Sequence, residues 1–205
     1  MFLDFLGRPA DPAGLAFWVN LIDTNVQTRA QVAVSFFNSA EFKDAGLYIT
    51  NAYTAILNRD PDFVGWSFWF TQIRNGQPKI SVVNSFITSP EFVLTYGSLN
   101  NTQFVQLVYQ NVLGRQPDST GLIFWLAQLQ SGTSRGQMME SFFQSDEYRV
   151  RSRTRQLSNL CYLGFLARTP DAAGRLFWTA QLDGGLSDVD LMNLFILSPE
   201  FAARL

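Results

Sequence analysis

Along this chain apolar residues recur at helical spacing in three kinds of segment, separated by polar turns. In Tyr48–Leu57 the side chains of Tyr53, Ile56 and Leu57 share a face, and in Phe104–Leu113 Leu107, Val108, Tyr109 and Val112 do the same. With Leu157–Leu166, these predict a lead-in helix. It stops at an Arg-x-Pro-Asp turn, because the residue before proline is disfavoured in the α region. A second helix starts at the aspartate. Asp11 followed by Pro12 reads as an N-cap and a first helical position, and Asp62, Asp118 and Asp171 can cap alike. Inside it a glycine, a tryptophan and an aliphatic fall four apart: Gly14-Trp18-Ile22, Gly65-Trp69-Ile73, Gly121-Trp125-Leu129 and Gly174-Trp178-Leu182. That spacing predicts one buried stripe. Glycine inside a helix costs about 1 kcal/mol relative to alanine, so four of them predict another helix backbone approaching closely.

A third helix follows a polar turn. Thr28-x-x-Gln31 and Ser134-x-x-Gln137 fit a capping box, Ser187-x-x-Asp190 is a looser version, and Pro78 stands near the start in the second copy. It carries Phe36, Phe86, Phe142 and Phe195 inward. Ser89-Pro90-Glu91 and Ser198-Pro199-Glu200 then start a short fourth helix.

This order occurs four times. Trp18, Trp69, Trp125 and Trp178 are 51, 56 and 53 residues apart. Ten before each stands Arg8, Arg59, Arg115 or Arg168, and one before stands Phe17, Phe68, Phe124 or Phe177. The reading is an all-α fold of four tandem helical repeats of about 50 residues, packed into one array so that neighbours bury what one copy cannot. The units are 1–45, 46–98, 99–151 and 152–205. The first has a short lead-in and is expected to be truncated, the chain being a segment of a larger protein.

The 205 residues are 47 % apolar with 19 Phe, ample for a core. A net charge of −2 gives no electrostatic reason to expect nucleic acid or an anionic membrane as partner. Residues 92–114 carry no charge, but Asn100, Asn101, Gln103, Gln106, Gln110 and Asn111 argue against a membrane span. Without histidine the commonest general base and transition-metal ligand are missing. The single Cys161, inside an apolar run, reads as a buried small hydrophobe. No metal and no cofactor is expected.

The Arg, Asp and Glu of each unit invite an acid–base reading, but catalysis seldom needs four copies of its groups. Capping explains the aspartates, a helix start the glutamates, and the arginine braces the turn against one of them. The Phe-Trp pairs read as core rather than as an aromatic platform. Trp66 differs: its counterparts are Leu15, Leu122 and Arg175, which points to partial exposure and makes it a candidate binding anchor. Arg149, Arg151, Arg153 and Arg155 form the only charge cluster, read as a solvated surface with an acidic partner as the functional alternative. Asp60-Pro61-Asp62 lacks the register of a calcium loop.

The phrase Leu113-Gly114-Arg115-Gln116-Pro117-Asp118-Ser119-Thr120-Gly121-Leu122-Ile123-Phe124-Trp125, with Ser145-Asp146-Glu147-Tyr148, resembles the bacterial repeat module DUF4214, a domain of unknown function. The likeness covers essentially the whole chain. Asn58 and Ala167 replace the glycine before arginine, and Pro9-Ala10-Asp11 replaces x-Pro-Asp in the first unit. The resemblance implies part of a large secreted or cell-surface bacterial protein, often beside calcium-binding repeats, with no known catalytic residue. The Gly-Arg and Ser-x-Glu-aromatic phrases are also distantly similar to phycobilisome linker domains, which are helical scaffolds.

The expected function is a non-enzymatic interaction module binding protein or envelope polysaccharide. The alternatives are a purely architectural spacer and, less favoured, a carbohydrate-active enzyme using paired carboxylates. The enzyme would need an acid whose surroundings break the four-fold pattern.

Overall fold

A computed structural model describes residues 1–204. Each unit contributes a tryptophan helix: α2 (Pro12–Asp23), α6 (Phe63–Arg74), α10 (Ser119–Gln130) and α13 (Ala172–Asp183). Each starts where an aspartate carboxylate accepts from the backbone N–H three residues on, at 2.7–2.8 Å, on Gly14, Gly65, Gly121 and Gly174. The third helices are α3 (Arg29–Asn38), α7 (Ile80–Ile87), α11 (Arg135–Phe143) and α14 (Asp188–Ile196). Both capping boxes form at Thr28 and Ser134, and Phe36, Phe86, Phe142 and Phe195 are buried.

The lead-in helices are α1 (Phe2–Leu6), α5 (Tyr48–Ile56), α9 (Asn101–Val108) and α12 (Asp146–Cys161). A π-helical turn precedes α5 (Lys43–Leu47) and others follow α9 (Tyr109–Leu113) and α12 (Tyr162–Leu166). The short α4 (Ala40–Phe42) runs through its π turn into α5, and α12 already starts at the Ser-x-Glu phrase, so units 1–2 and 3–4 are joined by unbroken helix. Between units 2 and 3, α8 (Pro90–Tyr96) ends at Gly97, whose φ of 73° turns the chain. The closing α15 spans Pro199–Ala202.

The all-α repeat architecture stands, but the packing is not in sequence order. α3 of unit 1 packs along α14 of unit 4, and α7 of unit 2 along α11 of unit 3. Phe5 meets Phe37 and Phe165, with ring centroids 4.8 and 5.0 Å apart, in the first pairing. In the second, the Tyr48 hydroxyl donates to Glu140 at 2.7 Å. α5 and α12 cross between the pairs, where Thr54, Tyr148 and Gln156 form a buried hydrogen-bonded cluster with contacts of 2.6–2.9 Å. Units 1–2 thus relate to units 3–4 in the pattern of an approximate two-fold.

The glycines inside the tryptophan helices have a different cause from the one expected. The atoms nearest each missing Cβ belong to side chains, not to a helix backbone. A Cβ on Gly65, Gly121 or Gly174 would overlap the hydroxyl of Tyr53, Tyr109 or Tyr162, respectively. Each tyrosine stands six before the unit's arginine; in unit 1 that position is Phe2, and Gly14 meets only the carboxylate of Asp11. Gly174→Ala is therefore expected to destabilise by about 1–3 kcal/mol through overpacking. Gly14→Ala should stay within about 0.5 kcal/mol of the parent, as helix propensity offsets a small shift of Asp11. Urea midpoints of the two variants decide it, and equal losses would remove the tyrosine explanation.

Candidate interaction surface

Each unit builds the same polar brace. The arginine closing the lead-in turn lies over an aromatic ring of its own unit: Arg8 on Phe2, Arg59 on Tyr53, Arg115 on Tyr109 and Arg168 on Tyr162, at 4.7–5.3 Å. Its guanidinium grips the Ser-x-Glu glutamate with two bonds. Nε to Oε1 is 2.7, 2.5, 2.8 and 2.5 Å for the pairs with Glu41, Glu91, Glu147 and Glu200. Nη2 to Oε2 is 3.0–3.1 Å in all four. In units 1, 2 and 4 the capping aspartate also stands within 3.2–3.6 Å.

These contacts shift the ionisations. The arginine hydrogen bond holds Glu41, Glu147 and Glu200 below the usual carboxylate range. The Gly14 and Gly174 N–H groups lower Asp11 and Asp171. Burial, then Asp62, pushes Tyr53 up to about 12. A carboxylate lowered in the folded state stabilises above its unfolded value and loses that contribution as pH falls through the folded one. Stability should therefore decline below about pH 4.5, the ordinary glutamate value. Glu147→Gln should decline less steeply there, read as urea midpoint against pH; parallel curves would contradict the brace.

The tryptophans that mark the repeat are half-buried, each edge-on or tilted against the inward phenylalanine at 5.2–5.9 Å. The phenylalanines beside them are not core, which corrects the expectation for the Phe-Trp pairs. Phe17, Phe68, Phe124 and Phe177 are 52–56 % exposed, each standing on its tryptophan at 4.9–5.1 Å and 73–80°.

On the other side of each tryptophan runs a stripe from the residues three before and one after it. In unit 1 it is Leu15 and Val19, 50 % and 44 % exposed. In unit 2 it is Trp66 and Phe70, both buried and stacked at 4.9 Å. Trp66, expected at the surface, is only 3 % exposed. Its indole N–H reaches the Gly46 carbonyl at 3.1 Å and the Thr50 hydroxyl at 3.0 Å. Units 1 and 4 cover it: Leu3, Asp4 and Gly7 join Leu163, Ala167 and Arg204 around Trp66 and Phe70, leaving a cavity of about 240 Å³. As a binding anchor Trp66 is ruled out by burial.

The arginine cluster also dissolves into separate contacts along α12. Arg149 pairs with Asp146 at 3.2 Å, Arg153 with Asp188 at 2.5 Å, and Arg151 lies beside Gly114. Arg155 turns inward to Asp60, Nε to Oδ1 at 2.8 Å. Asn159 donates to the same oxygen at 2.9 Å. Arg175 stands 2.5 Å from Oδ2 as an ion pair, although its buried Nε–H is not aligned for a hydrogen bond. Across the same junction Phe63 N–H donates to Thr169 Oγ1 at 2.9 Å. Units 2 and 4 therefore meet at their turns, the Arg175 stripe position of unit 4 on Asp60 of unit 2 and the first backbone N–H of α6 on Thr169 of unit 4. Asp60 is an acid whose surroundings break the repeat, and its neighbours are cations that neutralise it.

Among the described residues no group of three or more acids, histidines or cysteines is placed to hold a metal, and no helix is long and apolar enough to cross a membrane. The profile described as a domain of unknown function, DUF4214, matches residues 1–46, 44–93, 83–152 and 152–205. The chain belongs to the DUF4214 family. No curated protein and no solved structure matches it. The four DUF4214 matches follow the four braces, each containing one Arg–Glu pair.

Proposed function

We propose that this DUF4214 chain is a non-enzymatic interaction module of a larger secreted or cell-surface bacterial protein, engaging a protein or glycan partner. The observation that carries this reading is the four exposed phenylalanines. At the neighbouring position, two before each tryptophan, the residue drifts through Ala16, Ser67, Ile123 and Leu176. Phenylalanine one residue on does not change, though half of it faces water in every unit. Packing alone does not require an exposed ring to be kept four times. A flat aromatic edge offers apolar area and a polarised face to a sugar or a side chain, and four copies on one body allow avidity. The acids and arginines of each unit point the same way, since they are spent on one another.

The test compares the parent chain with a variant carrying serine at positions 17, 68, 124 and 177, passed over immobilised bacterial envelope polysaccharides and envelope proteins. Retention of the parent and not the variant supports the reading. Equal retention places binding elsewhere, and no retention of either leaves an architectural spacer.

A further inference from the structure

We infer that the notch between the tryptophan and the brace of unit 4 is a subsite for one neutral sugar ring. The site lies apart from the exposed phenylalanines and rests on the glycan branch of the function proposed above.

The notch has a volume of about 170 Å³ and is lined from α13, α14 and the Arg168–Glu200 pair. That is below the roughly 300 Å³ at which drug-sized sites begin, so it takes one small ring. Trp178 forms one wall, half-buried and backed by Phe195 at 5.4 Å. Leu194 lines the notch from α14 and is 47 % exposed.

Leu194 is the departure that singles out unit 4. At its position, one before the inward phenylalanine, the other units carry Ser35, Ser85 and Ser141. Three residues on, Leu197 is 71 % exposed where they carry Asn38, Thr88 and Gln144. The tryptophan, the arginine and the glutamate are the same in every unit. Unit 4 thus keeps the polar pair and adds apolar surface near the indole, on a helix face that elsewhere carries hydroxyls and amides. Exposed leucine gains nothing from water. It gains from a ring that presents a carbon–hydrogen face.

The polar side selects the same ligand. Of the five N–H groups of a guanidinium, Arg168 spends three, two on Glu200 and one on the Thr169 carbonyl. Each Glu200 oxygen accepts one of them and has room for a second hydrogen bond. Donor and acceptor capacity therefore remains side by side, on residues whose charges already cancel. An ion would have to break the pair. A neutral diol does not, because one hydroxyl can accept from the guanidinium while its neighbour donates to the carboxylate. A pyranose joins such a hydroxyl edge to an apolar face, and Trp178 meets that face with its ring.

The test follows the indole N–H resonances of the 205-residue chain, with Trp178 assigned by Trp178→Phe, as the methyl glycosides of glucose, galactose and mannose are added in turn. At least one should move the Trp178 resonance saturably in the millimolar range, with Trp18 and Trp69 moving less. Leu194→Ser should weaken that binding at least about fourfold, the worth of one buried methylene, with unchanged helical circular dichroism. No response of Trp178 to any of the three, or equal affinity in Leu194→Ser, overturns the inference. Acetamide also accepts and donates but has no ring face. A Trp178 response to acetamide matching that to the glycosides would make the occupant a peptide amide and overturn the sugar. Because the readout is one sugar at one indole, the serine variant at positions 17, 68, 124 and 177 should respond as the parent does, whatever its retention on polysaccharide. Loss of the response in that variant would place the sugar on the phenylalanines and overturn the notch.

Discussion

Trp66→Ala is expected to be the most damaging alanine substitution among the five tryptophans, at about 3–5 kcal/mol for a fully buried large aromatic. The side chain is 3 % exposed, stacks on Phe70 and places its N–H on Gly46 and Thr50. Removing it opens a void beside the existing cavity where units 1, 2 and 4 meet. Trp125→Ala should be milder, on the order of 2 kcal/mol, because the indole is only partly buried against the core. Trp66→Phe should be the mildest of the three, losing on the order of 1 kcal/mol with the hydrogen bonds; Thr50 still donates to Gly46, so that carbonyl keeps a partner. Urea midpoints at constant m-value rank the three. A larger loss for Trp125→Ala than for Trp66→Ala would overturn this account of the core.

That ordering reverses what the repeat pattern suggests, and the reason is physical. What every unit does is written four times and is local: the aspartate cap spans three residues, and the Arg–Glu brace closes one unit on itself. Those features are legible in the sequence. What joins one unit to another happens once, so it is written only as a departure. Leu15, Leu122 and Arg175 imply that the position of Trp66 tolerates water, because a repeat is read as though its copies shared an environment. They do not. Trp66, Arg175 and Asp60 each break the repeat, and all three lie where units meet. The tyrosine–glycine contact could have been found, since Tyr53, Tyr109 and Tyr162 keep a fixed distance from the arginine and Phe2 marks the exception. The exposed phenylalanines could not, because helical phase beside a tryptophan does not say which flank the neighbouring helix covers. The order in which units pair depends on where helix is unbroken, and the π turn running α4 into α5 has no plain signature.

Asp60→Ala is the second large effect expected, about 2–4 kcal/mol. It leaves Arg155 and Arg175 without a counter-charge and Asn159 without its acceptor. Removing one partner from a fully buried pair costs about 3–5 kcal/mol. The side chains here keep 18–30 % of their surface in water, which places the expectation lower. Adding Arg175→Leu, the residue type found in units 1 and 3, removes one stranded cation and should recover part of the loss. A coupling of about 1–3 kcal/mol in the double-mutant cycle would measure the pair, and coupling near zero would remove it as a clamp. Salt separates this junction from the braces. The exposed Arg–Glu pairs lose most of their attraction at about 1 M salt, whereas the half-buried cage is screened less. The Asp60→Ala deficit should therefore persist in high salt. Hydrogen exchange should quicken together at the turns of units 2 and 4, which are distant in sequence and are joined by these contacts.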